Sequence, residues 1–109
     1  MDRDLHERIA DNEAMFRQVN ESIARGQWPG DEGKPVGFRC ECARLGCNVV
    51  IELTMPEYEA VRANPRRFVI AIGHELPETE RIVQTSGGYA VVEKLDEAGA
   101  VAESTDPRG

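Results

Sequence analysis

Phe38-Arg39-Cys40-Glu41-Cys42-Ala43-Arg44-Leu45-Gly46-Cys47 holds every cysteine of this 109-residue chain. Downstream, His74 follows Gly73. Three thiolates and one imidazole make a full tetrahedral zinc shell. The pattern C-x-C-x4-C…G-H therefore predicts one Zn²⁺ bound by Cys40, Cys42, Cys47 and His74. Cys40 and Cys47 stand at the two ends of a short loop, and Gly46 permits its tight turn. The C-x-C spacing asks for extended backbone, with both sulfurs on one face of a strand end. Three thiols without a metal are the alternative reading, and Glu75 or a water could replace His74 as fourth donor. An odd, clustered set of cysteines suits a reducing compartment better than a secreted disulfide scaffold.

On either side of this loop the periodicity is that of strands. Val36 to Cys40 alternates, and Asn48-Val49-Val50-Ile51-Glu52-Leu53 is β-branched and apolar, so the two form a hairpin whose turn is the cysteine loop. Thr54-Met55-Pro56-Glu57 then has the form of a capping box with proline in the first turn, opening a helix that runs to about Ala63 and stops at Asn64-Pro65. Phe68 to Ile72 is a third strand delivering Gly73-His74. Glu80–Thr85 and Tyr89–Lys94 pair around Gly87-Gly88. The Ala-, Glu- and Gly-rich stretch 96–109 reads as a flexible tail.

Residues 1–25 carry Leu5, Ile9, Asn12, Phe16, Val19 and Ile23 at alternating spacings of four and three, the narrow seam of an amphipathic helix. At roughly 36 Å such a helix is longer than a small sheet can cover. The seam residues Leu5, Ile9, Phe16, Val19 and Ile23 are thus a candidate surface for a protein partner or a second copy of the chain. Packing across the chain's own sheet is the competing expectation. Residues 26–37, rich in Gly and Pro, form a linker in which Trp28 could pin the chain to the core. The expected architecture is α+β: a long N-terminal amphipathic helix (1–25), the linker, and a zinc-stapled domain (38–95) holding a small, mostly antiparallel sheet and one short helix.

Composition narrows the function classes. Aromatics make up only 6% of the chain, so the core rests on aliphatic side chains, and a domain this small benefits from a staple. The net charge of −7 opposes binding to phosphate backbones or anionic membranes. Residues 34–67 are locally basic, with six cationic side chains against four acidic ones, but three bound thiolates on one Zn²⁺ offset half of that excess. Arg62, Arg66 and Arg67 read as a solvated helix end. The start of the chain has no apolar signal core, and no run is long enough to span a bilayer, so the expected location is the cytoplasm. No phosphate loop, nucleophile elbow or triad is present. A closed four-ligand shell points away from catalysis, whereas a three-thiolate site with water, served by Glu41 or Glu75 as base, would suit a small zinc hydrolase.

Phe38-x-Cys40-Glu41-Cys42-x4-Cys47, Leu53-Thr54-x2-Glu57-Tyr58-Glu59-x-Val61-Arg62, Pro65-x-Arg67-Phe68-Val69, Gly73-His74-Glu75 and Tyr89-x-Val91-Val92-Glu93-Lys94 resemble a group of short, uncharacterised actinobacterial proteins. Asn12-Glu13 and Asn20-Glu21 extend the likeness over the first helix. The resemblance implies a joint Cys/His site and brings no activity with it. Ile72 departs from it, standing where a proline is expected. Two functional expectations follow: an adaptor or regulatory module with a structural zinc in the bacterial cytoplasm, or a thiol-based redox or metal sensor built on the cysteine cluster. A small zinc enzyme is the third.

Overall fold

The computed structural model describes residues 2–27, 30 and 32–108, with side chains from Arg8 onward. Leu5 and Trp28 therefore lie outside the described side chains. Helix α1 (Asp2–Arg25) is followed by strands β1 (Val36–Arg39) and β2 (Val50–Leu53), helix α2 (Met55–Arg62), strands β3 (Arg67–Ala71), β4 (Glu80–Ser86) and β5 (Tyr89–Lys94), and helix α3 (Asp96–Ser104). The class is α+β with two antiparallel sheets, β1-β2 and β3-β5-β4. No described helix is long and apolar enough to cross a membrane.

The β1-β2 hairpin pairs Val36 with Leu53 and Arg39 with Val50, and Cys40 N–H extends the ladder to the Val49 carbonyl at 3.0 Å. At α2, Thr54 Oγ1 accepts from Glu57 N–H at 3.3 Å and Glu57 Oε1 accepts from Thr54 N–H at 2.7 Å, so two end-of-helix donors are satisfied reciprocally. Phe38 stacks on Tyr58 with ring centroids 4.3 Å apart. Around this pair pack Ile51, Leu53, Val61, Val69, Tyr89 and Val91. Burying such side chains contributes about 1.5–3 kcal/mol each, so this cluster is the main apolar support of the hairpin.

The tail expected at 96–109 is instead a helix. α3 starts at Leu95 without a side-chain cap, and Asp96 sits at φ 49°, which removes the sequence signal of a helix start. Its interior Gly99 leaves room for the Arg66 guanidinium: a Cβ there would meet Arg66 at 2.3 Å. Ala102 is buried beneath it, and Arg66 pairs with Glu103 at 2.5 Å. The fold therefore has two short helices where the sequence suggested one.

A larger departure concerns α1. Its buried face is polar: Glu13, Arg17, Asn20 and Glu21 are all buried, Arg17 and Asn20 completely. Arg17 donates to the Pro65 carbonyl at 2.8 Å and the Ala102 carbonyl at 2.6 Å, with its guanidinium 4.4 Å from the centre of the Phe68 ring. Glu21 accepts from Arg62 at 2.6 Å, and Arg62 also pairs with Asp106. Arg62 is thus a buried ion-pair hub and no part of a solvated helix end. Arg67 likewise pairs with Glu93 at 3.1 Å. Glu13 pairs with Lys94, which also holds Glu80.

The predicted seam is split by this docking. Ile23 packs against the apolar cluster, Ile9 and Phe16 are half-buried, and Val19 is 39% exposed beside Met15 at 51%. The seam lies along the flank of the docked face, displaced from it by about one position.

Candidate metal centre

Two turns of the same design deliver two of the four donors. In the cysteine loop, Cys47 N–H closes on the Arg44 carbonyl at 3.2 Å, with Gly46 third in the turn at φ 82°. After β3, His74 N–H closes on the Ala71 carbonyl at 3.1 Å, with Gly73 third at φ 88°. A left-handed third residue followed directly by the ligand is the type II arrangement, where glycine fits without strain. Ile72 occupies the second position of its turn, where proline is favoured. That accounts for the proline expected there and for how little isoleucine disturbs. Arg44 donates to the Gly73 carbonyl at 2.9 Å and binds one turn to the other.

Cys40 and Cys42 lie at the end of β1, and both are buried. The ligand atoms of Cys40, Cys42, Cys47 and His74 all fall within 4.8 Å of one another, and none of the cysteines is in a disulfide. His74 Nδ1 is 3.6 Å from Cys40 Sγ and 3.7 Å from Cys47 Sγ. A tetrahedron with Zn–S near 2.3 Å and Zn–N near 2.0–2.1 Å has S···N edges of about 3.6 Å. The two S···N distances match that edge, and the cluster of four donors could bind a metal ion. The fourth donor in the cluster is His74, not Glu75.

The cysteine loop also protects a sheet edge. β3 is the outer strand of its sheet, with unpaired backbone groups on its free side. The Val69 carbonyl accepts from Glu41 N–H at 2.8 Å. Val69 N–H donates to Glu41 Oε1 at 3.0 Å, and Ala71 N–H donates to Cys40 Sγ at 3.1 Å. Side chains of the loop thus stand in for a neighbouring strand. Such an N–H···S contact would stabilise Cys40 as a thiolate ligand.

Glu41, between the first two cysteines, is fully buried. Asn20 Nδ2 donates to its Oε2 at 2.7 Å and to the Arg39 carbonyl at 2.8 Å. Asn20 Oδ1 accepts from Arg39 N–H at 2.7 Å. One asparagine of α1 therefore clamps the strand that enters the site. Burial raises the Glu41 carboxyl to about 7, against the opposing pull of the Val69 and Asn20 hydrogen bonds. With both oxygens engaged and no solvent contact, Glu41 is a structural brace and does not suit the role of general base. Between the two buried thiols, a mutual hydrogen bond holds Cys42 down to about 4 and pushes Cys40 up, with burial adding to the rise at Cys40.

The residues that sequence reasoning missed are Asn20, Glu21 and Arg17 on α1 and Lys94 on β5. A signal existed. Glu13, Arg17, Asn20, Glu21 and Ala24 repeat at helical spacing, a second stripe beside the apolar one. Its polar chemistry gave it the look of a solvated face. The chain matches no family model, no curated protein and no solved structure.

Proposed function

We propose that the protein is a zinc-stapled interaction module, in which one Zn²⁺ on Cys40, Cys42, Cys47 and His74 locks the β1-β2 hairpin to the exit of β3. The observation that carries this reading is the convergence of three soft sulfur donors and one imidazole within 4.8 Å, with two S···N distances of 3.6 and 3.7 Å. Thiolate-rich sets favour zinc over the harder divalent ions. Four protein donors complete the shell, so the ion's role is structural and no coordination position is kept for a substrate. In this reading α1, docked through polar contacts, presents Met15 and Val19 outward to a protein partner or a second copy. The three free thiols suit a reducing bacterial cytoplasm.

Elemental analysis of protein purified under reducing conditions tests the metal assignment. One zinc per chain is expected, with Cys42→Ser and His74→Ala each lowering it. Protein that carries no stoichiometric metal, or a variant set that retains it fully, would overturn the assignment. A thiol-sensor reading has one observation in its favour: Cys47 is only partly buried, so an oxidant reaches one ligand before the others. Zinc release in step with sulfenate formation at Cys47 would select that reading over a purely structural ion.

A further inference from the structure

A cavity of about 500 Å³ opens between α1, α3 and the loop before β4, and none of the metal donors lines it. Its size falls within the range of about 300–1,000 Å³ typical of pockets for small organic molecules. The walls are apolar, with Ile9 from α1, Leu76 from the loop and Val101 from α3 facing across it. Two charged groups, Glu13 and Lys94, also line it, and both are almost wholly buried.

The charge pattern decides what such a cavity accepts. Lys94 is already flanked by two carboxylates, Glu13 and Glu80, so its positive charge is fully offset. Glu78 and Glu97 add two more carboxyl groups at the walls. An anionic headgroup would meet a surplus of negative charge in a poorly solvated site. Glu13 Oε2 accepts from Lys94, and with Glu78 and Glu97 it gives the walls three carboxyl groups against one lysine. A carboxylate at the wall of an apolar cavity is a charge-assisted acceptor for a cationic N–H.

We infer that this cavity is a binding site for an amphipathic amine, with the protonated amine head on Glu13 and the apolar body against Ile9, Leu76 and Val101. Burial raises the Glu13 carboxyl to about 7, with Lys94 pulling the other way and Glu80 and Cys42 adding smaller pushes upward. A cationic head relieves that cost by supplying the missing opposite charge. The site is independent of the zinc proposal, because its walls and its acceptor are not metal ligands.

The probe is octylamine, protonated at neutral pH as a lysine side chain is, titrated into the full chain by ¹H–¹⁵N NMR beside octanol and octanoate. Saturable shifts confined to residues around 9–14 and 97–102 are expected for the amine, with the alcohol and the acid at least tenfold weaker. Glu13→Gln should weaken octylamine at least tenfold. Val101→Trp, which fills the mouth, should abolish binding. Metal content and helix content are followed in parallel, so loss of ligand binding is separable from loss of zinc. If Glu13→Gln does not fold, Val101→Trp at the half-exposed rim still decides the matter. Octanol or octanoate binding as well as octylamine would overturn the charge argument. No saturable shift from any probe at millimolar concentration, or binding unchanged in Val101→Trp, would overturn the site.

Discussion

The β1-β2 hairpin and helix α1 dock on the same part of the molecule by opposite chemistry. The hairpin rests on stacked rings and aliphatic side chains, with three cysteine sulfurs at its tip facing His74 beyond β3. The helix inserts Glu13, Arg17, Asn20 and Glu21, and nearly every bond it makes is charged or polar. Apolar packing is tolerant: a lost methylene costs about 1 kcal/mol and neighbours relax. A buried ion-pair network adds little net stability relative to an apolar face, yet removing one partner is severe because the other charge stays behind unpaired. With the proposed zinc bound, the hairpin should therefore fail through that ion, and the helix through any one of a few polar atoms.

The largest effect falls on the metal. Zinc-finger peptides bind their ion with about 10–16 kcal/mol, comparable with the whole stability of a domain, about 5–15 kcal/mol. Cys42→Ser, or chelation of the wild type, should abolish cooperative unfolding of the centre while leaving α1 able to form helix. Circular dichroism melts read alongside metal content check this. An unchanged melting temperature would show the hairpin standing on its apolar cluster alone.

Next comes Arg62→Ala. It removes the buried guanidinium shared by Glu21 and Asp106, leaving Glu21 with Arg108 alone, and should cost about 3 kcal/mol, the low end for a broken buried pair. Zinc stoichiometry should hold. A loss below about 1 kcal/mol in urea titrations would mean that the network is solvated and the contrast with the hairpin is false. Asn20→Ala removes three hydrogen bonds that clamp Arg39 and Glu41, and at about 1 kcal/mol each should cost about 3 kcal/mol. Of all α1 changes, this one should also speed zinc transfer to a chelator, because the clamp holds the strand entering the site. Equal transfer rates in variant and wild type would separate the two regions completely.

The pH dependence of α1 docking follows from Glu13, whose carboxyl stands at about 7 instead of the usual 4.5. A carboxyl raised by folding binds its proton more tightly in the native state. Its contribution is present below the unfolded value and is lost as pH rises through the folded one. Relative to Glu13→Gln, the wild type should therefore lose about 2 kcal/mol between pH 5 and pH 8. A difference that stays flat from pH 5 to pH 8 would show that Lys94 keeps Glu13 ionised throughout.

How far the sequence was legible follows the same division. The donor set, the capping box at Thr54 and Glu57, and the hairpin at Gly87-Gly88 are local signals, each tied to a backbone need a few residues long. The split into two sheets was not legible, because it depends on Glu41 and Cys40 satisfying the free edge of β3 across 28 and 31 positions. The docked face of α1 was misjudged for a physical reason: charged side chains are almost never fully buried unless paired, and their partners Arg62, Lys94 and Asp106 lie far along the chain. Helix α3 was hidden by its missing cap and by Gly99, whose role is to admit Arg66.

The smallest effect on folding, and the sharpest test of what α1 is for, lies on its outer face. Met15 and Val19 are four residues apart and share one side of the helix. Both are exposed in the single chain, while the docked side carries the buried Glu13, Arg17, Asn20 and Glu21. Replacing both by Glu should change stability by no more than about 0.5 kcal/mol each, as for surface sites away from packed features. If this face meets a second copy, apolar area is removed from water on association, and two facing carboxylates would oppose it strongly. Sedimentation of the zinc-loaded wild type should then show a concentration-dependent dimer, and the double variant a monomer with unchanged metal. A wild type that stays monomeric at every concentration removes self-association, leaving a different protein as the only occupant of that face. A variant that dimerises like the wild type removes the face itself, and the outer side of α1 is then ordinary solvated helix.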